Sequence, residues 1–195
     1  MNTIFETMKL RDHFEESAQL TQDILQDASF FEAMSLGADL LIGCLKAGHK
    51  ILSCGNGGSM CDAMHFAEEL SGRYRDDRDP IAAMSLSDTS VMSCIGNDYG
   101  FERVFARQIE ALGNPGDVLL AISTSGHSAN VLEAARAAKA RGIHVLALTG
   151  KDGGALATLA EVEVRVPWSG YADRIQEMHI KCIHAWIDAI EQARP

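Results

Sequence analysis

At 195 residues, 47% hydrophobic and 23% charged, the chain is long enough for one well-packed domain with helices left over for assembly. A formal net charge of −10 argues against a nucleic-acid binder, which needs basic patches to meet a phosphate backbone. The five cysteines (Cys44, Cys54, Cys61, Cys94, Cys182) are odd in number and lack Cys-x-x-Cys spacing, which argues against a disulfide framework and for reduced thiols in a cytoplasm.

From about residue 2 to 26, Ile4, Phe5, Met8, Phe14, Ala18, Ile24 and Leu25 recur at helical spacing, and the charges of Glu6, Lys9, Arg11, Asp12, Glu15 and Glu16 argue against a signal peptide. A second helix is expected over 30–47, stopped by Gly48. Strands at 50–54, 81–85, 117–122, 143–148 and 162–166 then alternate with helices at 59–74, 89–95, 100–112, 128–141, 153–159 and 171–192. Short apolar strands joined by helices predict a parallel sheet covered on both faces. Between the first helix of that series and its next strand, Arg73, Arg75 and Arg78 are offset by Asp76, Asp77 and Asp79, which reads as a solvated loop. No run of membrane-spanning length is expected, and one domain is the simplest organisation. The last helix carries Ile175, Met178, Cys182, Ile183, Trp186, Ile187 and Ile190 around much of its circumference, which predicts burial on more than one side, by the core and by a subunit interface.

Two loops rich in serine and glycine carry the most information. Ser53-Cys54-Gly55-Asn56-Gly57-Gly58-Ser59 and Ile122-Ser123-Thr124-Ser125-Gly126-His127-Ser128 each follow a strand and lead into a helix. Unsatisfied N–H groups at a helix start suit an anion, hydroxyls add neutral donors, and glycine lets the backbone come close. The first loop alone could be a tight turn. It lacks the third glycine of a dinucleotide fingerprint, position 60 being Met, and no Gly-Lys-Ser/Thr of a nucleotide loop follows. Its pairing with the second, hydroxyl-rich loop points to a pocket for a phosphorylated small molecule. In a parallel sheet such loops sit where ligands bind, beyond the carboxyl ends of the strands.

His65 and Glu69, four residues apart, share one helix face and could hold a metal, share a proton-transfer task, or form an ordinary polar pair; Glu68 reads as a solvated neighbour. On the last helix Asp173, Gln176 and His184 fall within about 80° of one another, though Gln176 and His184 stand about 12 Å apart along the axis. His13, His49, His144 and His179 read as structural. Asn97-Asp98-Tyr99-Gly100 reads as a polar turn, either a connection between helices or a sugar contact.

Together these segments, with Cys61-Asp-Ala-Met-His-Phe-Ala-Glu-Glu-Leu70, Ile95-Gly-Asn-Asp98, Leu148-Thr-Gly-Lys-Asp-Gly-Gly154 and Gly170-Tyr-Ala-Asp-Arg-Ile-Gln-Glu-Met-His179, resemble the sugar isomerase (SIS) domain family over nearly the whole chain. The serine loops specify only the fold. The set His65, Glu69, Gln176 and His184 resembles the phosphoheptose isomerases within it. The resemblance implies a single α/β SIS domain over 1–195: a three-layer sandwich with a five-stranded parallel sheet over about 49–195, and N-terminal helices over about 1–48 for oligomerisation. It implies a cytoplasmic homotetramer with no nucleic-acid or membrane partner. The implied activity is interconversion of sedoheptulose 7-phosphate and D-glycero-D-manno-heptose 7-phosphate through an enediol, the first step towards ADP-heptose and the lipopolysaccharide core. By the same resemblance Ser59, Ser123, Thr124, Ser125 and Ser128 hold the phosphate, and Asn56, Gly57, Gly58, Asn97, Asp98 and Gln176 line the sugar site. Glu69 and His184 are the catalytic pair, Glu69 also touching substrate, and His65, Glu69, Gln176 and His184 bind one zinc per subunit. A non-catalytic SIS protein of the replication-initiator-associating type would lack the acid–base pair that Glu69 and His184 supply here.

Overall fold

The computed structural model describes residues 2–193, with side chains from residue 9 onward; the expected core positions Ile4, Phe5 and Met8 lie outside the described side chains. Two helices, α1 (Asn2–Leu25) and α2 (Ala28–Lys46), precede β1 (Ile51–Cys54), α3 (Gly58–Ser71) and β2 (Ala83–Ser85). Then come α4 (Thr89–Tyr99), a 3₁₀ turn (Phe101–Arg103), α5 (Ala106–Leu112), β3 (Val118–Ser123) and α6 (Ala129–Ala140). β4 (His144–Gly150), α7 (Gly154–Leu159), β5 (Val162–Val166) and α8 (Ala172–Gln192) complete the chain. The strands form one parallel sheet in the order β2-β1-β3-β4-β5. On β1, Ile51 pairs with Ala83 on one side and Val118 on the other.

Every residue of β1 and β3 is buried, as expected of strands covered on both faces. Alternate side chains divide the core in two. Ile51, Leu120, Ile122 and Leu146 pack with α2, α3 and α8 through Leu41, Phe66, Ile183 and Trp186. Leu52, Leu119, Ala121 and Val145 pack with α5, α6 and α7 through Ile109, Val131 and Leu156. This is the three-layer arrangement the sequence predicts. Local signals set several boundaries: Asp27 Oδ1 accepts from the N–H of Ser29 and Phe30 to start α2, and Asp88 Oδ1 accepts from the N–H of Val91 to start α4.

Some expectations need correction. α2 has 19 residues and a mean hydropathy of 1.4, long and apolar enough by length and composition to cross a membrane, contrary to the expectation of no such run. Here it covers the sheet beside α8: Gly37 lets the Trp186 ring approach until a Cβ would stand 2.8 Å from it, and Trp186 Nε1 donates to Met34 O. α4 runs four residues beyond 95, so Asn97 and Asp98 lie in a helical turn rather than a polar turn. The helix expected over 100–112 is divided at 104–105 into the 3₁₀ turn and α5. The apolar residues of α8 occupy one broad face within this chain, from Ile175 to Ile190 at i, i+3 and i+4 spacing. The 73–79 segment is not uniformly solvated: the Arg78 side chain is 1% exposed, pairs with Glu191 at 2.7 Å and donates to Leu70 O and Glu69 O, closing the end of α3.

His179 is structural, as expected. Fully buried on α8, it sits with Nε2 2.9 Å from the carbonyl oxygen of Thr149 at the end of β4, and burial pushes its pKa down to about 4 from an ordinary 6.5. The folded state therefore refuses a proton that the unfolded chain accepts below pH 6.5. The neutral ring's advantage is complete above pH 6.5 and is lost as pH falls to 4, a change of about 3 kcal/mol. Urea midpoints should fall over that window, and His179→Gln should fall less steeply than the parent from its own starting midpoint; parallel slopes would contradict this account.

Candidate active site

In this strand order the chain turns from β1 towards β2 on one side and from β3 towards β4 on the other, so the switch point lies between β1 and β3. Both serine loops leave the carboxyl ends of these two strands. Each helix that follows starts without a side-chain cap: α3 at Gly57, whose φ is +54°, and α6 at Ser128. Ser59 and Met60 N–H donate to Asn56 O and Gly57 O, and Val131 N–H to Asn130 Oδ1. Among the described hydrogen bonds the N–H groups of Gly58, Ala129 and Asn130 have no acceptor, which leaves them for an anion. Around them Ser59 and Ser123 are buried, and the hydroxyls of Ser123 and Ser128 lie 3.0 Å apart. The Ser125 hydroxyl accepts from the His127 N–H, and Thr124 is partly exposed beside it. Of the expected phosphate hydroxyls of the second loop, those of Ser123 and Ser128 thus meet.

The loops are joined by a residue that sequence reasoning missed. Asn56 Nδ2 donates to Asn130 Oδ1, and Asn130 Nδ2 donates back to Asn56 Oδ1, both at 2.8 Å. Asn56, expected to line the sugar site, places its amide in this bridge. Asn130 is buried on the first turn of α6, and its Oδ1 also accepts from Val131 N–H. A buried asparagine at a helix start was the available signal; its partner 74 residues away was not legible.

The 148–154 motif also finds its role. Gly126 has φ +66°, and a Cβ there would stand 1.9 Å from Gly153 O. A Cβ on Gly154, itself at φ +54°, would meet the Gly126 carbonyl at 2.6 Å. Leu156 N–H donates to Gly126 O. The second loop is therefore braced, backbone against backbone, by the turn after β4.

α3 and α8 lie side by side and bring the titratable residues together. His65 Nε2 stands 3.0 Å from His184 Nε2 and 3.5 Å from Glu69 Oε1. Glu68, expected to be a solvated neighbour, is exposed yet places Oε1 3.1 Å from His65 Nδ1, so it orients that ring. Burial, then the nearby His65 and Arg75, lower the His184 pKa against the opposing pull of Glu69, which favours a neutral imidazole. One turn before His65, burial pushes the Asp62 carboxyl up to about 6, with His65 opposing.

Of the four expected metal donors, His65 stands close to two, His184 and Glu69. Two imidazole nitrogens across a tetrahedral zinc stand roughly 3.3 Å apart, given Zn–N bonds of about 2.0–2.1 Å, so the His65–His184 spacing fits that ion. His65, Glu68 and Glu69 also offer ligand atoms within 4.8 Å of one another. Gln176 packs elsewhere: its amide nitrogen lies 2.5 Å from where a Cβ on Gly58 would be, at the opening turn of α3 beside Gly57. Asn97 and Asp98 are exposed at the end of α4, where Asn97 Nδ2 donates to Asp98 Oδ1. Among the described residues, neither makes a hydrogen bond to the serine loops or to the His65 group.

The SIS domain family profile matches residues 12–150. The phosphoheptose isomerase of Cytophaga hutchinsonii is 58% identical over 179 residues, spanning 92% of this chain and 94% of that protein. That of Escherichia fergusonii is 55% identical over 183 residues, 94% of this chain and 95% of the relative. Among solved structures, phosphoheptose isomerase GmhA from Neisseria gonorrhoeae superposes with a TM-score of 0.89 at 46% identity, covering 95% of this chain and 98% of that one. A phosphoheptose isomerase from Francisella tularensis gives 0.90 at 38% identity, covering 96% and 98%. Fold, loops and convergent side chains agree with these matches, and the chain belongs to the SIS-domain family and, within it, to the phosphoheptose isomerases.

Proposed function

We propose that the chain interconverts sedoheptulose 7-phosphate and D-glycero-D-manno-heptose 7-phosphate, an aldose–ketose isomerisation that proceeds through an enediol. The observation that carries this reading is the meeting of Glu69, His65 and His184 on the helix that begins at the first serine loop and on its neighbour α8. From Gly58 to His65 is about 10 Å along the α3 axis, a span that an extended seven-carbon chain can bridge. With the 7-phosphate on Ser59, Ser123, Thr124, Ser125, Ser128 and the N–H groups of Gly58, Ala129 and Asn130, the far end of the sugar reaches the carboxylate and imidazoles. Gln176 and Gly57–Gly58 stand at the phosphate end of that path.

Glu69 takes a proton from C1 of the open-chain ketose while His184 delivers one to the oxygen on C2, giving the enediol. Loss of the O1 proton and reprotonation at C2 complete the aldose. Glu68 fixes the His65 ring, and the neutral His184 preferred by its surroundings gives its N–H proton to O2 and regains one from O1 as the enediol becomes the aldose. His65, Glu69 and His184 would hold a zinc ion, with Gln176 joining only if its amide turned from Gly58. Bound there, zinc would stabilise negative charge on the substrate oxygens as a Lewis acid.

A homotetramer in the cytoplasm completes the reading. It is supported by apolar side chains left open on the two N-terminal helices, Leu10 and Phe14 on α1 and Phe31 and Leu36 on α2, Phe14 being 79% exposed. The test is incubation of the purified protein with sedoheptulose 7-phosphate. The aldoheptose 7-phosphate should accumulate to equilibrium, in protein that carries about one zinc per chain by elemental analysis. Absence of product would refute the activity, and full activity in metal-free protein would refute the zinc.

A further inference from the structure

The 72–80 segment, whose charges read as solvent-facing, holds one aromatic residue against the candidate catalytic imidazole. The Tyr74 ring stacks on His184 with centroids 5.7 Å apart and planes 28° from parallel. The Arg75 guanidinium lies over the same Tyr74 ring at 5.1 Å, and Arg75 Nη1 donates to Asp188 Oδ1 at 2.8 Å, one turn beyond His184 on α8. Arg78 pins the other end of the segment through Glu191 and the last carbonyls of α3. The segment is therefore fastened to α8 at Asp188 and Glu191, with Tyr74 laid across the imidazole between α3 and α8.

We propose that Tyr74 is a positioning residue for the isomerisation: its ring face, held in place by Arg75, fixes the plane of His184 so that Nε2 points at His65. Among the described residues, the other ring contact and hydrogen bond of His184 are both to His65: an edge-on contact, 5.2 Å between centroids at 71°, and the Nε2–Nε2 approach. An imidazole turned about its χ2 keeps its chemistry and loses its aim. Misplacement of about 1 Å can cost 100-fold in rate while leaving substrate binding intact. The inference rests on the proposed role of His184.

The test compares Tyr74→Leu, Tyr74→Phe, Arg75→Gln and His184→Gln, with folding checked by circular dichroism. Tyr74→Leu should lower kcat by about 10- to 100-fold with KM within about threefold of the parent. Tyr74→Phe, which keeps the ring face, should restore most of that loss. Arg75→Gln, at a side chain 63% exposed and so safe for folding, should lower kcat severalfold at unchanged KM. In histidine-selective NMR spectra, the His184 ring protons, identified by their disappearance in His184→Gln, should lose an upfield ring-current shift in Tyr74→Leu. A parent-like kcat in Tyr74→Leu or Arg75→Gln, or a Tyr74→Phe loss as deep as that of Leu, would overturn the proposal. If His184→Gln itself kept the parent rate, the reading of His184 would fail instead, and the ring-current shift would still report whether the stack exists.

Discussion

Glu69→Gln is expected to lower turnover of the ketose phosphate by about 10²–10⁴-fold while leaving the fold intact. The substitution preserves size and shape. It removes the basic oxygen that stands 3.5 Å from His65 Nε2, and with it the group proposed to take the C1 proton. Because the phosphate loops are formed by other residues, KM should move far less than kcat. The Glu69 side chain is 16% exposed and accepts no capping bond on which α3 depends, so thermal stability should change little. Steady-state kinetics with sedoheptulose 7-phosphate, alongside a melting curve, separate these outcomes. A purified Glu69→Gln protein that isomerises at the parent rate would contradict the base assignment.

Gly126→Ala is expected to do the reverse, damaging the phosphate grip and the fold together. A side chain at φ +66° is strained wherever it sits. Here the added methyl would also meet Gly153 O at 1.9 Å, and that obstacle is backbone and cannot rotate away. Either the second serine loop or the turn after β4 must shift, which breaks the bond from Leu156 N–H to Gly126 O. Strain with displacement of this kind costs about 2–4 kcal/mol. Displaced hydroxyls at Ser123, Ser125 and Ser128 should raise KM by about tenfold or more. Denaturant titration and kinetics on the same preparation check both numbers. A variant with parent-like KM would show that the 153–154 brace does not set the loop.

The sheet and its loops were legible because they depend on local patterns. Strands such as Val118–Ser123 are buried on both faces and therefore read as continuous apolar runs, and the loops combine glycine with hydroxyls in one short segment. The His65–Glu69 pair was legible because a helix repeats every 3.6 residues, and the last helix carried His184 within about 80° of the polar Asp173 and Gln176. What escaped were features set by chain segments far apart in sequence. Asn130 matters through Asn56, Gly126 through Gly153, and Tyr74 and Arg78 through α8, and nothing local announces those partners. Arg78 in particular lies in a run of alternating charges, yet its side chain is buried because the α3 carbonyls and Glu191 satisfy it. The extension of α4 through Gly96 escaped because glycine and asparagine usually mark a helix end; here a Cβ on Gly96 would stand 3.7 Å from Val104 and 4.0 Å from Phe101.

A crystal structure of the protein soaked with sedoheptulose 7-phosphate would probe the mechanism at its heart. The account predicts the ester anion seated between the starts of α3 and α6, among Ser59, Ser123, Ser125 and Ser128, with Glu69 and His184 flanking the C1–C2 bond. A sugar whose reactive carbons lie away from Glu69 and His184, or whose phosphate sits outside the two loops, would contradict it.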